Sequence, residues 1–577
     1  MSTRTFNSVL LIISFAFSQC KSGPPKGDPD NGGLLLPGGF EAVVVVDSLP
    51  GKARHLAVND NGDIYVKLMH TVKERGNAAL RDDDGDGKAD IIEFFGKYDD
   101  WGYGTAMRIH NGYLYFSSEL VVYRCKLQQR RLLPDEKMEV ILTDDHPHGR
   151  HEHIAKPVSF DDRGNMYVPF GAPSDACQEM NRIPGSPGQN PCPLLADHGG
   201  VWQFDANKTG QVQKDGKRFA TGLRSVVAMD WNKDDKTLYL LQHGRDDLLR
   251  TWPSIYSPWQ SAVLPAEEFL RIKESANCGW PYYYYDEIQQ KKILNAEYGG
   301  DGKKEADGKN YEQPLIAFPA HWAPNDLVFY QGNSFPDHYK NGAFIAFHGS
   351  TNRAPYPQSG YFICFVPFNA GKPSGTWEVF ADGFAKVDPI VSVSDAVYRP
   401  MGIAIGPDGS MYVSDSEKGK IWRIMFKGDK NKFGAQQLAA MEKEKSNSHI
   451  RMPDEINDNL DRDKPSSAAK LYDTYCRMCH QQNGKGDGAR FPPLDSSEWV
   501  IGDKKRLINL VLNGVQGPID VKGKSYNGTM PMHAFLSDND LAVVLTYVRR
   551  SFGNAADSVN AEEVGRIRSK IQDTRSK

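Results

Sequence analysis

Long apolar runs are almost absent from this chain of 577 residues. Val9 to Phe17, broken only by Ser14, falls short of the about 20 residues that a membrane-spanning helix needs. No other segment is long and apolar enough, so a helical membrane protein is excluded. Charge of one sign is also lacking: 69 Lys and Arg stand against 73 Asp and Glu, a net of −4. Nothing here asks for nucleic acid or for an anionic membrane surface. Cysteine is scarce, with 8 residues. No alternation of strands with helices suggests a parallel αβα sheet.

What is present is the composition of a globular protein, 40% apolar and 25% charged. The length fits two to four units rather than one. Gly (54) and Tyr (25) are plentiful, which suits turn-rich β structure. Arg4 followed by the short apolar run reads as an export signal over residues 1–19. Phe17-Ser18-Gln19-Cys20 resembles a bacterial lipoprotein box, with Phe17 and Gln19 departing from the usual residues. The polar, Pro/Gly-rich stretch over 20–40 fits a flexible tether. The expectation is an exported protein, periplasmic or held at the outer membrane by a lipid on Cys20 and facing the periplasm. In that oxidising setting Cys177 and Cys192, on either side of a Pro/Gly-rich loop, are expected to pair. Cys125, Cys278 and Cys364 read as buried free thiols.

Between residues 41 and 426 one pattern recurs six times: an alternating strand, a turn with Asp, Asn or Gly, and a second strand with an aromatic. It starts at Leu56, Ala106, Pro157, Val227, Asp326 and Met401. Period-two alternation around such turns is the hairpin signal. Six hairpin units predict an all-β six-bladed propeller, with a pair of sandwiches as the alternative. Residues 427–465 are charged and poor in aromatics and read as a linker, with a helix near Ala435 to Lys445. Over 466–555 apolar residues fall at three- and four-residue steps, which predicts a small all-α domain, with 556–577 as a tail. Ser537, with Asp540 three residues on, marks the start of its last helix.

CRMCH, Cys476 to His480, is the C-x-x-C-H haem attachment sequence. Two thiols at this spacing can add to both vinyl groups of one haem, and His480 then faces the iron. YNGTMPMHAFLSDNDLAVVLTYVRRSFGN resembles the Met-Pro ligand loop and final helix of class I c-type cytochromes. That resemblance makes Met530 the second iron ligand, with Met532 the rival and His533 a third choice. It also makes the carbonyl in the Pro492-Pro493 segment the group that orients His480. A thioether ligand raises the haem potential relative to bis-His ligation.

GLRSVVAMDW, LPAEEFLRI, CGWPYYY, HWAPNDLVFY, FPDHYKNGAFIAFHGSTNR and YRPMGIAIGPDGSMYVSD follow one another in order. Together they resemble the PQQ-dependent glucose/sorbosone dehydrogenase family, more clearly its sorbosone-type members. The resemblance implies PQQ bound at Arg224, Arg353 and Arg399. It implies His153 as the catalytic base, with His151 as the nearby alternative. A Ca²⁺ at the quinone would take backbone carbonyls around Gly244 and Arg245, and His321 and Trp322 would line the central opening. A quinone with three carboxylates needs fixed cations, and Arg supplies two parallel donors. Three positions depart from the family pattern: Ser225, Val397 and Asp326. Separately, DDDGDGKADIIE fits a Ca²⁺ loop through Asp82, Asp84, Asp86, Gly87 and Glu93, without flanking helices.

These residues imply a quinohaemoprotein dehydrogenase that oxidises a sugar, aldose or related alcohol or aldehyde. Electrons would pass from PQQ to haem c, then to a further cytochrome or a terminal oxidase. The alternatives are a quinone-free carbohydrate- or partner-binding propeller with a relay haem, and a Ca²⁺-dependent propeller lactonase that would have no use for haem.

Overall fold

The structure is a computed structural model and describes residues 25–100, 102–147, 151–306, 311–454, 465–488 and 491–575. The expected export signal, Cys20 and the end of the expected linker lie outside these residues.

Each of the six hairpins found in the sequence is the first strand pair of its own sheet. The six first strands are Ala53–Val58, Met107–His110, Ser159–Phe160, Val226–Asn232, Pro324–Phe329 and Pro400–Ile405. They neighbour one another around a central axis, and each sheet runs outward from its first strand for four or five strands. The ring is closed by the chain's first strand, Phe40–Val46, which pairs antiparallel with Ile421–Phe426 in the sixth sheet (Phe40 with Phe426, Val44 with Trp422). Closure between the two ends of the domain removes the open sheet edge.

The middle strands are covered on both faces by neighbouring blades. Ala343–Phe347 and Phe362–Val366 are therefore buried at every residue, and the in-out alternation seen elsewhere is lost there. Phe40 anchors the closure: its ring lies 4.8 Å from Phe335, 5.2 Å from Phe380 and 4.9 Å from Phe426. Such aromatic burial is worth roughly 3–5 kcal/mol per ring against alanine.

The stretch after residue 427 is a strap rather than a free linker, as far as Asp454. Its helix, Ala435–Glu444, buries Met441, and Ile450 joins it in the core built on Phe347 and Phe362. Trp259 Nε1 donates to the Pro453 carbonyl at 2.7 Å. His449 Nε2 lies 3.1 Å from Asp382. Burial alone would lower the His449 imidazole, but hydrogen bonds to Asp382 and Asp388 carry it up to about 9.

The C-terminal domain has the expected helices Pro465–Tyr475, Arg477–His480, Lys504–Asn513 and Asp538–Arg550. The Ser537 side chain accepts from Asp540 N and caps the last of these. Two features depart from expectation. A β-hairpin, Val515–Val521 with Lys524–Met530, interrupts the helices. The residues expected as a tail form helix Ala561–Arg575, which buries Val564 against the domain core. Cys177 and Cys192 form the expected disulfide, and Cys125, Cys278 and Cys364 are buried and free. Among the described residues no helix is long and apolar enough to cross a membrane.

Candidate functional site

In the C-terminal domain, His480 Nδ1 lies 2.8 Å from the Pro492 carbonyl, the partner expected for it. That bond fixes the ring and leaves Nε2 for iron. Cys476, Cys479, His480 and Met530 all line one apolar cavity, with Phe491, Leu507, Val511, Leu541 and Leu545 on its walls. The hairpin that the sequence did not announce ends on Met530, so Val515 paired with Met530 sets where the thioether stands. Met532 is 47% exposed, whereas Met530 packs into the core. His533 also lines the cavity. Two thiols, one imidazole with its far nitrogen anchored, and a thioether around an apolar slot are the donor set of a covalently held haem.

The propeller site is built around His153. Its backbone is left-handed, φ 58°, a conformation uncommon for a non-glycine residue. His153 Nδ1 lies 2.7 Å from the Ala172 carbonyl, which turns Nε2 the other way. Burial, helped by the nearby Arg224 guanidinium, holds this imidazole well below its usual range, so it is neutral at pH 7. A neutral imidazole with one nitrogen fixed is a competent proton acceptor.

Arg224 is 3% exposed and clamped by three acceptors: Asp175 at 2.6 Å, Asp246 at 2.7 Å and the Gly244 carbonyl at 2.7 Å. Burial works against the Asp175 carboxylate, but Arg224, Arg245 and Arg182 together hold it ionised, below the usual range. Gly244 is required by close approach, since a Cβ there would meet the Pro265 carbonyl at 2.6 Å. Its amide donates to Glu267 at 2.9 Å. Burial pushes that carboxyl up to about 8, against the pull of the two amides that bond it. His321, φ 67°, is buried near Asp246 and Arg224, with Nε2 2.9 Å from the Ser261 carbonyl, and burial lowers its imidazole below the usual range.

Several expected residues stand elsewhere. The Arg353 guanidinium is turned to the strap, donating to the carbonyls of Arg451 at 2.8 Å and Ser448 at 3.5 Å. Arg399 bonds the carbonyls of His348, at 3.2 Å, and Gly349, with Glu417 at 3.4 Å. The Gly244 carbonyl faces Arg224 rather than an open cation seat, and Arg245 is buried against Glu297 at 2.5 Å. Trp322 lines no opening: it is fully buried among Phe318, Phe347 and Phe362. His151 packs its ring 5.1 Å from that of His198. Asp326 is a cross-brace: it reaches across the central axis to Arg108 at 2.5 Å and accepts from the amides of Leu327 and Ile403.

Sequence reasoning missed Asp175, Arg182 and Asp246. Asp246 directly follows Gly244 and Arg245, the positions expected to offer carbonyls. Arg182 sits in the disulfide loop, with no local signal for its bonds to Glu152, Asp246 and Asp247.

In the acidic loop, Asp82, Asp84 and Asp86 bring carboxylate oxygens within 4.8 Å of one another. Glu93 is outside that group, exposed on strand Ile91–Lys97.

A closed six-bladed propeller with an arginine–carboxylate–histidine site, followed by a C-x-x-C-H helical domain, defines a propeller–cytochrome c fusion. The chain belongs to the TrAA12-like family, whose model matches residues 35–427, and the cytochrome c model matches residues 466–551. Among solved structures it resembles the calcium structure of the carbohydrate-active enzyme family AA12 protein of Trichoderma reesei. That match has a TM-score of 0.55 at 16% identity, covering 70% of this chain and 99% of that one. The holo form of the pyranose dehydrogenase PQQ domain from Coprinopsis cinerea gives 0.53 at 16%, covering 70% and 98%. The C-terminal part is 40% identical to cytochrome c-552 of Thermus thermophilus over 114 residues, 18% of this chain and 86% of that protein. It is 31% identical to the fructose dehydrogenase cytochrome subunit of Gluconobacter japonicus over 115 residues, 22% of that protein.

Proposed function

We propose that this chain is a PQQ-dependent sugar dehydrogenase that delivers its electrons to its own covalent haem c. The observation that carries the reading is His153: a half-buried, neutral imidazole with Nδ1 fixed on the Ala172 carbonyl beside a buried guanidinium, in a chain that also holds a haem-binding set. PQQ, when bound, accepts the hydride equivalent from the substrate carbon. His153 Nε2 takes the hydroxyl proton as that hydride leaves. Arg224 would hold a carboxylate of the quinone, and Arg399 would be a second holder if it released the His348 and Gly349 carbonyls that it bonds. The retained Arg224 and His153 oppose a quinone-free binding module, and the haem set opposes a lactonase.

The donor set fits an anionic ligand with one condition. Arg224 Nε is buried and without a hydrogen-bond partner among the described residues. Its Nη2 is paired with both Asp175 and Asp246, and its Nη1 donates to the Gly244 carbonyl. A polyanion would therefore enter only if those carboxylates found another cation, and a Ca²⁺ at Asp175 and Asp246 would supply it. A hard cation also suits Asp82, Asp84 and Asp86, where it would tie two strands of the first blade. The substrate class is a sugar or related alcohol or aldehyde, and the onward acceptor is a cytochrome or terminal oxidase. The chain's place is the periplasm, reached by the N-terminal signal and held there by lipid on Cys20.

Calorimetry on the haem-loaded chain tests the cofactor. PQQ is expected to bind with Ca²⁺ present and at least about tenfold more weakly after Arg224→Gln, the loss of one charge-assisted pair. No PQQ binding with or without Ca²⁺ would select the quinone-free module.

A further inference from the structure

The propeller meets the haem cavity at two loops, one of which runs back to the arginine–carboxylate site. Asn352 Nδ2 donates to Asp246 Oδ1 at 2.5 Å, so this turn begins inside the arginine–carboxylate site. Pro355, Tyr356 and Pro357 line the haem cavity, together with Val391 and Asp395 from a neighbouring propeller loop. The same cavity is lined by Cys476 and Cys479, the residues that would carry the haem's two thioethers. Tyr356 is 8% exposed, and its amide bonds back to the Arg353 carbonyl at 3.0 Å, which keeps the turn tight. Arg353 is held from below by the strap, through the Arg451 carbonyl. Four residues from Asn352 to Tyr356 span at most about 14 Å when fully extended, and a turn spans less.

We propose that residues 352–357 are the electron port of this protein, with Tyr356 the side chain that closes the gap between the Asp246 end of the catalytic site and the thioether edge of the haem. The inference rests on the catalytic reading above, and it adds the route. Two electrons leave the catalytic site one at a time. Each reduces the ferric haem to ferrous, and an external one-electron acceptor reoxidises it before the second arrives. The substrate's protons leave through His153 and solvent, not through the port. Tyr356 stands between Pro355 and Pro357 in sequence, and all three line the cavity. The same turn covers the haem edge against outside oxidants.

The test uses the full haem-loaded chain and two variants on different loops, Tyr356→Ala and Val391→Asp. Without quinone, dithionite-reduced haem is mixed with ferricyanide. Both variants are expected to be oxidised several-fold faster than the unaltered chain, because the cover is gone. With PQQ, Ca²⁺ and a sugar, haem reduction in stopped flow is expected to slow by about tenfold or more, as close contact between the domains is lost. Tyr356→Phe keeps the ring and is expected to retain the original rates. Equal ferricyanide rates and equal haem reduction in all variants would overturn the port. Failure of the catalytic reading looks different: no PQQ–sugar pair would reduce even a small dye with the unaltered chain, while the ferricyanide comparison would still report the cover.

Discussion

Asp326 provides a sharp test of how the propeller is braced. It stands where the related family usually has glycine, yet its side chain is fully buried, and its two oxygens take three donors: Arg108 at 2.5 Å, Leu327 N at 2.9 Å and Ile403 N at 2.8 Å. Asp326→Asn keeps the shape but replaces one acceptor oxygen by an NH₂ group. That group must then face either the Ile403 amide or the Arg108 side, and both offer only donors. Breaking a buried ion pair costs about 3–5 kcal/mol. The Arg108 side chain is 23% exposed and has Asp230 as a second acidic neighbour, which lowers the expectation to about 2–4 kcal/mol. Burial raises Asp230 to about 6, so an unbalanced Arg108 would draw it toward the ionised form. For a domain of about 400 residues, with an unfolding entropy near 2 cal/mol/K per residue, 3 kcal/mol lowers the melting temperature by about 4 °C. Calorimetry on Asp326→Asn, Arg108→Met and the double variant reads it. The double variant is expected to lose less than the sum of the singles. Melting temperatures unchanged within a degree, with an altered KM among sugars, would make Asp326 a substrate contact and refute the brace.

Three other outcomes follow from the same geometry. Met530→Leu is expected to lower the haem reduction potential and remove the Met-ligated spectrum, whereas exposed Met532→Leu leaves both unchanged in redox titration. His153→Gln is expected to lower kcat by about 10²–10⁴ with haem content intact; because burial and Arg224 hold the imidazole below its usual range, activity of the unaltered chain should persist at and below pH 6.5. His449, raised to about 9 through Asp382 and Asp388, contributes stability that is fully present below its unfolded value near 6.5 and is lost as pH rises through 9. The full effect is about 3 kcal/mol, and calorimetry should show the unaltered chain, but not His449→Gln, losing this increment between pH 7 and 10.

The parts legible in the sequence were those whose chemistry is local along the chain. Two thiols and a histidine within five residues must serve one haem, and period-two alternation around a tight turn makes a hairpin whatever surrounds it. All six hairpins became the first strand pairs of the blades. The β-hairpin at Val515–Met530 alternates around Lys522-Gly523 but was hidden by the helices on either side. The last helix shows Val564, Ile567 and Ile571 at helical spacing, a short signal in a charged context. Long-range pairing was not legible. Arg353 turns away from the catalytic site because a strap nearly 100 residues later offers it carbonyls. Trp322 follows His321 in sequence, yet the two side chains go to a core and to a site. Asp175 and Arg182 join Arg224 only through folding of the disulfide loop.

The most direct test of the account is an absorbance spectrum of the haem-loaded protein with Ca²⁺, taken before and after PQQ and then a panel of aldoses. Reduced-haem bands are expected to appear only when PQQ and a sugar are present together, and to form about 10²–10⁴-fold more slowly in His153→Gln. Haem that dithionite reduces but no PQQ–sugar pair ever does, in a protein shown to bind PQQ, would contradict the account.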